Sequence, residues 1–268
     1  MKETNKGKCR ICGNKYESRV MTRHISSCLE KETLSKGIPK KTERIFEIHI
    51  TDKYDKTYWM YIEMNETEPL LSLDKFLRGI WCECCGHLSN FTICGIIFSR
   101  SPDSSWRKEQ SMNIAVGNIF CEGRRFSYEY DYGSSTDLVL TVKSVRIGEP
   151  LENGIRILAK NNMPDHRCSV CGEKAAYINS WADYEDDIVF LCEECTDKLE
   201  EGELEVDVDL DALLPVCNSP RMGVCGYIGG FEDEVEYDES EFEGEYEDEE
   251  EDDDDDDDDE YVDFKDEL

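Results

Sequence analysis

The chain has 268 residues, enough for one ordinary domain and smaller modules, and a formal net charge of −33. No apolar run approaches the ~20 residues that span a bilayer, and the Lys-rich start has no apolar signal segment, so neither a membrane protein nor an exported one is expected. The charge is split: residues 1–44 hold 12 Lys/Arg against 5 Asp/Glu, whereas residues 231–268 hold 26 Asp/Glu against one Lys. Exposed charges more than ~10 Å apart are largely screened at moderate salt, so the total does not exclude a local basic contact. In a reducing cytosol, 14 cysteines, many in close pairs, mean metal before disulfide.

Residues 1–30 read as a module held by metal. Cys9-x2-Cys12, eleven residues, then His24-x3-Cys28 supplies two thiolates on a knuckle and two donors one helical turn apart, the set a tetrahedral zinc ion requires. A module this short does not hold together without the ion. The stretch resembles the nucleic-acid-type zinc finger family, in the variant with Cys as fourth ligand. Its Cys-to-His gap is one residue shorter than that family's usual twelve. The resemblance implies a small core at Tyr16 and Met21, Arg19, Val20 and Arg23 on or near a helix, and Lys15 before it. Lys15, Arg19 and Arg23 are the candidate nucleic-acid contacts, since such cations bind phosphate and Arg can read guanine. One finger reads only ~3 base pairs, so nonspecific contact or a protein partner stands beside site recognition.

Residues 31–44 lack apolar periodicity and contain Gly37 and Pro39, which reads as a flexible basic linker. An α+β domain is expected over 45–158. Phe46, Ile48 and Ile50 alternate with Glu47 and His49, and Met60, Ile62 and Met64 alternate with Trp59, Tyr61 and Glu63, both at strand period. Leu73, Phe76, Leu77, Ile80, Trp81, Cys84, Leu88 and Phe91 follow helical spacing, with Ser72 as N-cap and Asp74 in the first turn. Further strands are expected at 93–98, 124–132 and 137–147, with a turn at Gly133-Ser134-Ser135. The fold class is therefore α+β: a central mixed or antiparallel sheet with one long helix, flanked by two small zinc modules and a disordered acidic tail.

Within that helix Cys82, Cys84, Cys85 and His87 form a candidate third cluster. Three readings stand open: buried structural thiols, a metal site, or a Cys–His nucleophile. The last lacks a third, orienting group, so no complete catalytic constellation supports an enzyme. Phe126, Tyr128, Tyr130 and Tyr132 form an aromatic stripe beside Arg124 and Arg125, read as the inner face of a strand or as a base-stacking surface. With WCECCGHLSNF, the run Phe126, Tyr128, Tyr130, Asp131, Tyr132, Gly133 resembles the plasmid pRiA4b-like family over roughly 45–150. That family often continues with an acidic residue, Trp and His; here Ser134, Ser135, Thr136, Asp137 and Leu138 follow, so no function tied to those positions carries over. The ending NSPRMGVCGY, with the Cys pairs before it, looks like a microbial branch of the same family. The resemblance implies a fold, not a chemistry.

Cys168-x2-Cys171, twenty residues, then Cys192-x2-Cys195 is the spacing of a four-thiolate zinc ribbon, so residues 159–230 read as a ribbon with a Pro/Gly-rich closing segment. Two zinc ions are expected in all. His166 is read as a solvated loop histidine, and Cys217 and Cys225 have no assigned partner. Residues 231–268 cannot build a core and should be disordered. The terminal Lys-Asp-Glu-Leu is a retention address on paper, but in a cytoplasmic protein it is coincidence. The expected function is zinc-dependent binding without catalysis: nucleic acid through the finger, with the tail as electrostatic competitor, or a protein adaptor whose tail docks a basic partner. No small-molecule substrate is indicated.

Overall fold

Alternating and doubly apolar strands dominate the described residues, 6–36, 38–102, 109–179 and 188–230 of a computed structural model. β1 (Lys6–Cys9) and β2 (Lys15–Glu17) form a hairpin that leads into α1 (Ser18–Lys36). β3 (Glu43–Asp52) and β4 (Trp59–Asn65) follow, then α2 (Leu70–Leu77). β5 (Ser89–Ile93), β6 (Ile96–Ser99), β7 (Glu109–Ser111), β8 (Arg125–Tyr130), β9 (Thr136–Gly148) and β10 (Ile155–Asn161) complete the large sheet. Its ten strands run in the order β2-β1-β10-β4-β3-β9-β8-β5-β6-β7, antiparallel except for β6 and β7. β11 (Tyr177–Asn179), β12 (Phe190–Leu191) and β13 (Leu213–Pro215) form a second sheet, with α3 (Glu193–Glu200) beside it.

The alternating residues of β3 and β4 are buried on both faces. Ile50 lies opposite Met60 and Leu140, and Leu140 lies opposite Phe126, so one apolar face runs across four strands. α2 covers this face, since its Asp74 accepts from the Tyr128 hydroxyl at 2.8 Å. On the other face Trp59 and Tyr61 are buried under Met21, Ile25 and Leu29 of α1, together with Cys9, Leu158 and Ala159. The finger thus shares its core with the sheet, and Met21, Ile25, Leu29 and Leu158 each contribute about 1.5–3 kcal/mol by leaving water. The strand β1 fits against β10 because Gly7 has no Cβ: one would meet the Lys160 carbonyl and the Trp59 ring.

Five expectations are corrected. The helix over 72–91 stops early: α2 starts at Leu70 with Pro69 as N-cap, a π-helical turn over Arg78–Cys82 ends it, and Phe91 lies in β5. Ser72 does not cap; its hydroxyl donates to Glu68. Asp74 is fully buried as the acceptor of Arg78, Arg100, Ser89 and Tyr128 rather than as a dipole partner. The 19-residue α1 is the long helix, and it runs to Lys36 through the first part of the stretch read as linker. The strand over 93–98 is a hairpin, because Cys94 (φ 53°) and Gly95 (φ 78°) make a two-residue turn with both φ positive.

The turn over 133–135 between β8 and β9 is observed, as is the inner position of Phe126, Tyr128 and Tyr130; Tyr132 is half exposed. No helix among the described residues is long and apolar enough to cross a membrane. The acidic tail and its last four residues lie outside the described residues.

Candidate metal centres

Three groups of four Cys/His donors come together, each with its ligand atoms within 4.8 Å of one another: Cys9, Cys12, His24 and Cys28; Cys168, Cys171, Cys192 and Cys195; and Cys84, Cys85, His87 and Cys225. Bonds of ~2.3 Å to sulfur and ~2.0–2.1 Å to nitrogen in a zinc tetrahedron put donors about 3.5–3.8 Å apart. The sulfur–sulfur distances below, 3.5 and 3.8 Å, match those edges, and the sulfur–nitrogen distances, 3.0 and 3.2 Å, are a few tenths of an ångström shorter.

The first two groups begin on the same backbone turn. Gly13 N–H donates to the Cys9 carbonyl at 2.8 Å and Cys9 N–H to the Asn14 carbonyl at 2.9 Å. Gly172 N–H donates to the Cys168 carbonyl at 3.0 Å and Cys168 N–H to the Glu173 carbonyl at 2.8 Å. Each turn needs a left-handed residue after its second cysteine, supplied by Gly13 (φ 76°) and Gly172 (φ 80°). In the first group α1 brings His24 Nε2 to 3.2 Å from both Cys12 and Cys28 sulfurs, and Tyr16 packs on the His24 ring at 4.2 Å. In the second, Cys192 is the N-cap of α3, and its sulfur lies 3.5 Å from that of Cys171. His166 stays out of that set; it is half-buried and stacks on Phe190 at 4.7 Å rather than lying free in solvent.

The third group is assembled by tertiary structure. After the π-helical turn the chain makes a loop, Glu83 to Leu88, fixed from inside the protein. Glu83 accepts from Gly86 N–H at 2.6 Å and from Arg78 at 2.6 Å, and Arg78 also donates to the His87 carbonyl at 2.5 Å. Cys85 sulfur lies 3.8 Å from Cys84 sulfur, 3.0 Å from His87 Nε2 and 3.8 Å from Cys225 sulfur. His87 Nε2 lies 3.2 Å from Cys225 sulfur. Cys82, placed in this cluster by sequence proximity, is wholly buried and does not join it, because it sits on the last turn of the helix and faces inward. Cys225 takes its place. Cys217 is half-buried and belongs to none of the three groups.

One thiol of each group, Cys28, Cys85 and Cys195, is pushed up to about 12 by desolvation first and then by its neighbouring thiols. Burial raises Cys168 too, but backbone N–H groups of Cys171, Val170 and Cys192 outweigh it and bring that thiol down to about 6. Thiolates crowded in this way repel one another, and a divalent cation among them removes the penalty.

Lys15 stands at the start of β2, and Arg19 and Arg23 on the first turns of α1; all three are exposed. Across the hairpin Lys15 lies directly opposite Lys8, and Lys8 opposite Lys160 of β10.

No family model matches this chain, and no curated protein matches it. Among solved structures, the crystal structure of MM3350, a protein of unknown function from Methanosarcina mazei Go1, is similar at 16% identity over 44% of this chain and 67% of that one, with a TM-score of 0.37. A likeness at that level carries nothing across to this chain.

Proposed function

We propose that the protein is a zinc-binding, non-enzymatic binding protein that contacts nucleic acid through its finger. The observation that carries this reading is the row of like charges at the finger's edge of the sheet. Lys8 and Lys15 face each other on adjacent strands, an arrangement that costs free energy unless an anion lies between them. Arg19 and Arg23 extend the cationic surface one turn apart on α1. None of the four has a carboxylate within 4.0 Å among the described residues. Zinc fits the finger and ribbon because four thiolate or imidazole donors, closed and tetrahedral, match its preferences. The acidic stretch 231–268, tethered to the same chain, competes with nucleic acid for these cations. The resemblance of 45–150 to the pRiA4b-like family stays part of this proposal, as a scaffold.

Binding of zinc-loaded full-length protein and of residues 1–230 to short single-stranded and duplex oligonucleotides, over a series of salt concentrations, tests it. Four phosphate contacts predict a log–log salt slope of about −3 to −4, and the shorter chain binds more tightly. No binding by either form at low salt refutes the reading.

A second reading, a protein adaptor, has its own support. A groove of about 360 Å³ runs between α1 and β9, lined by Leu29, Leu34, Val145 and Ile147. Leu34 is 78% exposed and Ile147 64%, and Ser26, Glu30, Thr33, Ser144 and Arg146 give the groove a polar rim.

A further inference from the structure

We infer that Cys84, Cys85, His87 and Cys225 hold a third zinc ion, and that this ion fastens the closing segment, residues 216–230, onto the large sheet. The inference does not depend on nucleic-acid binding by the finger.

Three of the donors sit on a loop already held in shape by Glu83 and Arg78, with Gly86 (φ 80°) allowing the chain to double back between Cys85 and His87. The fourth arrives 138 residues after His87 and still places its sulfur 3.2 Å from the imidazole and 3.8 Å from the Cys85 sulfur. Cys225 reaches that point in a left-handed conformation, φ 48°, which costs a non-glycine residue on the order of 1 kcal/mol. Such strain persists where the surroundings over-determine it, and a metal–sulfur bond does so.

The outer groups also suit a thiolate-rich ion. Three thiolates and one imidazole on a divalent cation leave a charge of −1. Arg221, with no exposed surface, lies with Nη2 3.4 Å from the Cys84 sulfur and 2.7 Å from Asp131 Oδ2. Its other terminal nitrogen donates to the Ser134 carbonyl at 3.0 Å and the Thr136 hydroxyl at 3.1 Å. The guanidinium is paired with Asp131, whose Oδ2 also lies 3.5 Å from His87 Nε2, so the pair adds no net charge; what Arg221 gives the centre is a buried donor that orients the Cys84 sulfur, as hydrogen-bonding partners of metal ligands do elsewhere. Donors of three sulfurs and one nitrogen are those of a structural zinc site rather than a hard-cation site.

What the ion would fasten is visible in the rest of the segment. Asn218 exchanges hydrogen bonds with Asn161, Trp81 Nε1 donates to the Asn218 carbonyl at 3.0 Å, and the Ser219 hydroxyl donates to the Trp81 carbonyl at 2.6 Å. Tyr227 is fully buried, and a Cβ on Gly230 would collide with the Gly79 and Ile80 carbonyls. Past β13 the described part of the segment has neither helix nor strand, so it is held by these contacts, by the Val216 N–H bond to the Ala176 carbonyl at 2.8 Å, and by whatever joins Cys225 to the loop.

The test uses the full chain loaded with zinc and treated with iodoacetamide, with each cysteine followed by peptide mass. Cys85 is exposed, as are Cys94 and Cys121, which belong to no group. The site predicts that Cys85 and Cys225 react at least tenfold more slowly with zinc bound than each does once a chelator has removed the ion, while Cys94 and Cys121 react alike in both. Equal rates with zinc bound and removed overturn the proposal without any substitution. A Cys225→Ser chain should carry one zinc fewer and be cut by trypsin after Arg221 at least tenfold faster than wild type. Unchanged zinc content with unchanged resistance at Arg221 also overturns it.

Discussion

Arg221 and Cys84 meet inside the protein, a guanidinium with no exposed surface lying 3.4 Å from a sulfur that is one donor of a four-donor cluster. The contact joins a Pro/Gly-rich segment to a loop 137 residues earlier. Replacing Arg221 by Met removes the charge while leaving every donor in place. Zinc affinity at this centre should fall about 10–100-fold, with the finger and ribbon ions unaffected. Competition with a graded series of chelators measures it; an unchanged third affinity would show that Arg221 serves Asp131, Ser134 and Thr136 without acting on the centre.

Asp74 is the buried anion of the large sheet's helix-covered face. It accepts from Arg100 at 2.6 Å, Ser89 at 2.6 Å, Tyr128 at 2.8 Å and Arg78 at 3.2 Å. Asp74→Ala removes the carboxylate paired with Arg100 and one of the two paired with Arg78, and should cost about 3–5 kcal/mol in urea unfolding. A loss under 1 kcal/mol would contradict this assignment.

Ile25 is wholly buried between the finger and the sheet, with Trp59, Tyr61 and Leu158 in the same cluster. Ile25→Ala should destabilise by about 2–5 kcal/mol. Because the core is shared, the loss should appear in one cooperative transition reported alike by tryptophan fluorescence and by zinc release. Separate transitions would mean that the finger unfolds alone.

His49 stacks on Tyr61 at 4.2 Å with its Nε2 buried and unpartnered among the described residues. Burial first, then Lys143 and Lys56, lowers its pKa from 6.5 to about 4. The folded state therefore binds its proton more weakly than the unfolded chain. The stability this lends is present above pH 6.5 and is lost as pH falls from 6.5 towards 4. Relative to pH 7.5, about 1.4 kcal/mol should be gone by pH 5.5. His49→Phe keeps the stack and the metals, so the difference in unfolding free energy between the two chains isolates this titration. Parallel pH profiles would contradict it.

How much of this could be read in advance depended on whether a feature was local. The finger and ribbon donors lie within 20 and 28 residues, and their spacing alone selects them. The third set was half visible: Cys84, Cys85 and His87 lacked a fourth donor, and Cys225 lay unassigned between glycines. Nothing in spacing joins them, because Arg221, Asn218 and Tyr227 bring Cys225 across. The helical spacing overruns because Leu88 and Phe91 continue its apolar stripe; the π-helical turn over Arg78–Cys82 ends the helix, Gly86 (φ 80°) turns the loop after it, and Leu88 is 67% exposed. The hairpin at Cys94-Gly95 was hidden because Cys is not a usual left-handed residue. Trp59 and Tyr61 read as outward positions of an alternating strand, and only the docking of α1 buries them.

The central claim is that metal at three separate centres holds this chain in its fold. Mass measurement of the intact protein under native conditions, prepared with zinc and without added chelator, tests it most directly. The account predicts a mass greater than that of the bare chain by three zinc ions, with the ions leaving together with the folded charge-state distribution on acidification. A folded chain carrying no zinc would contradict it, and one carrying two, a number left unchanged by Cys225→Ser, would remove the centre at Cys84, Cys85, His87 and Cys225.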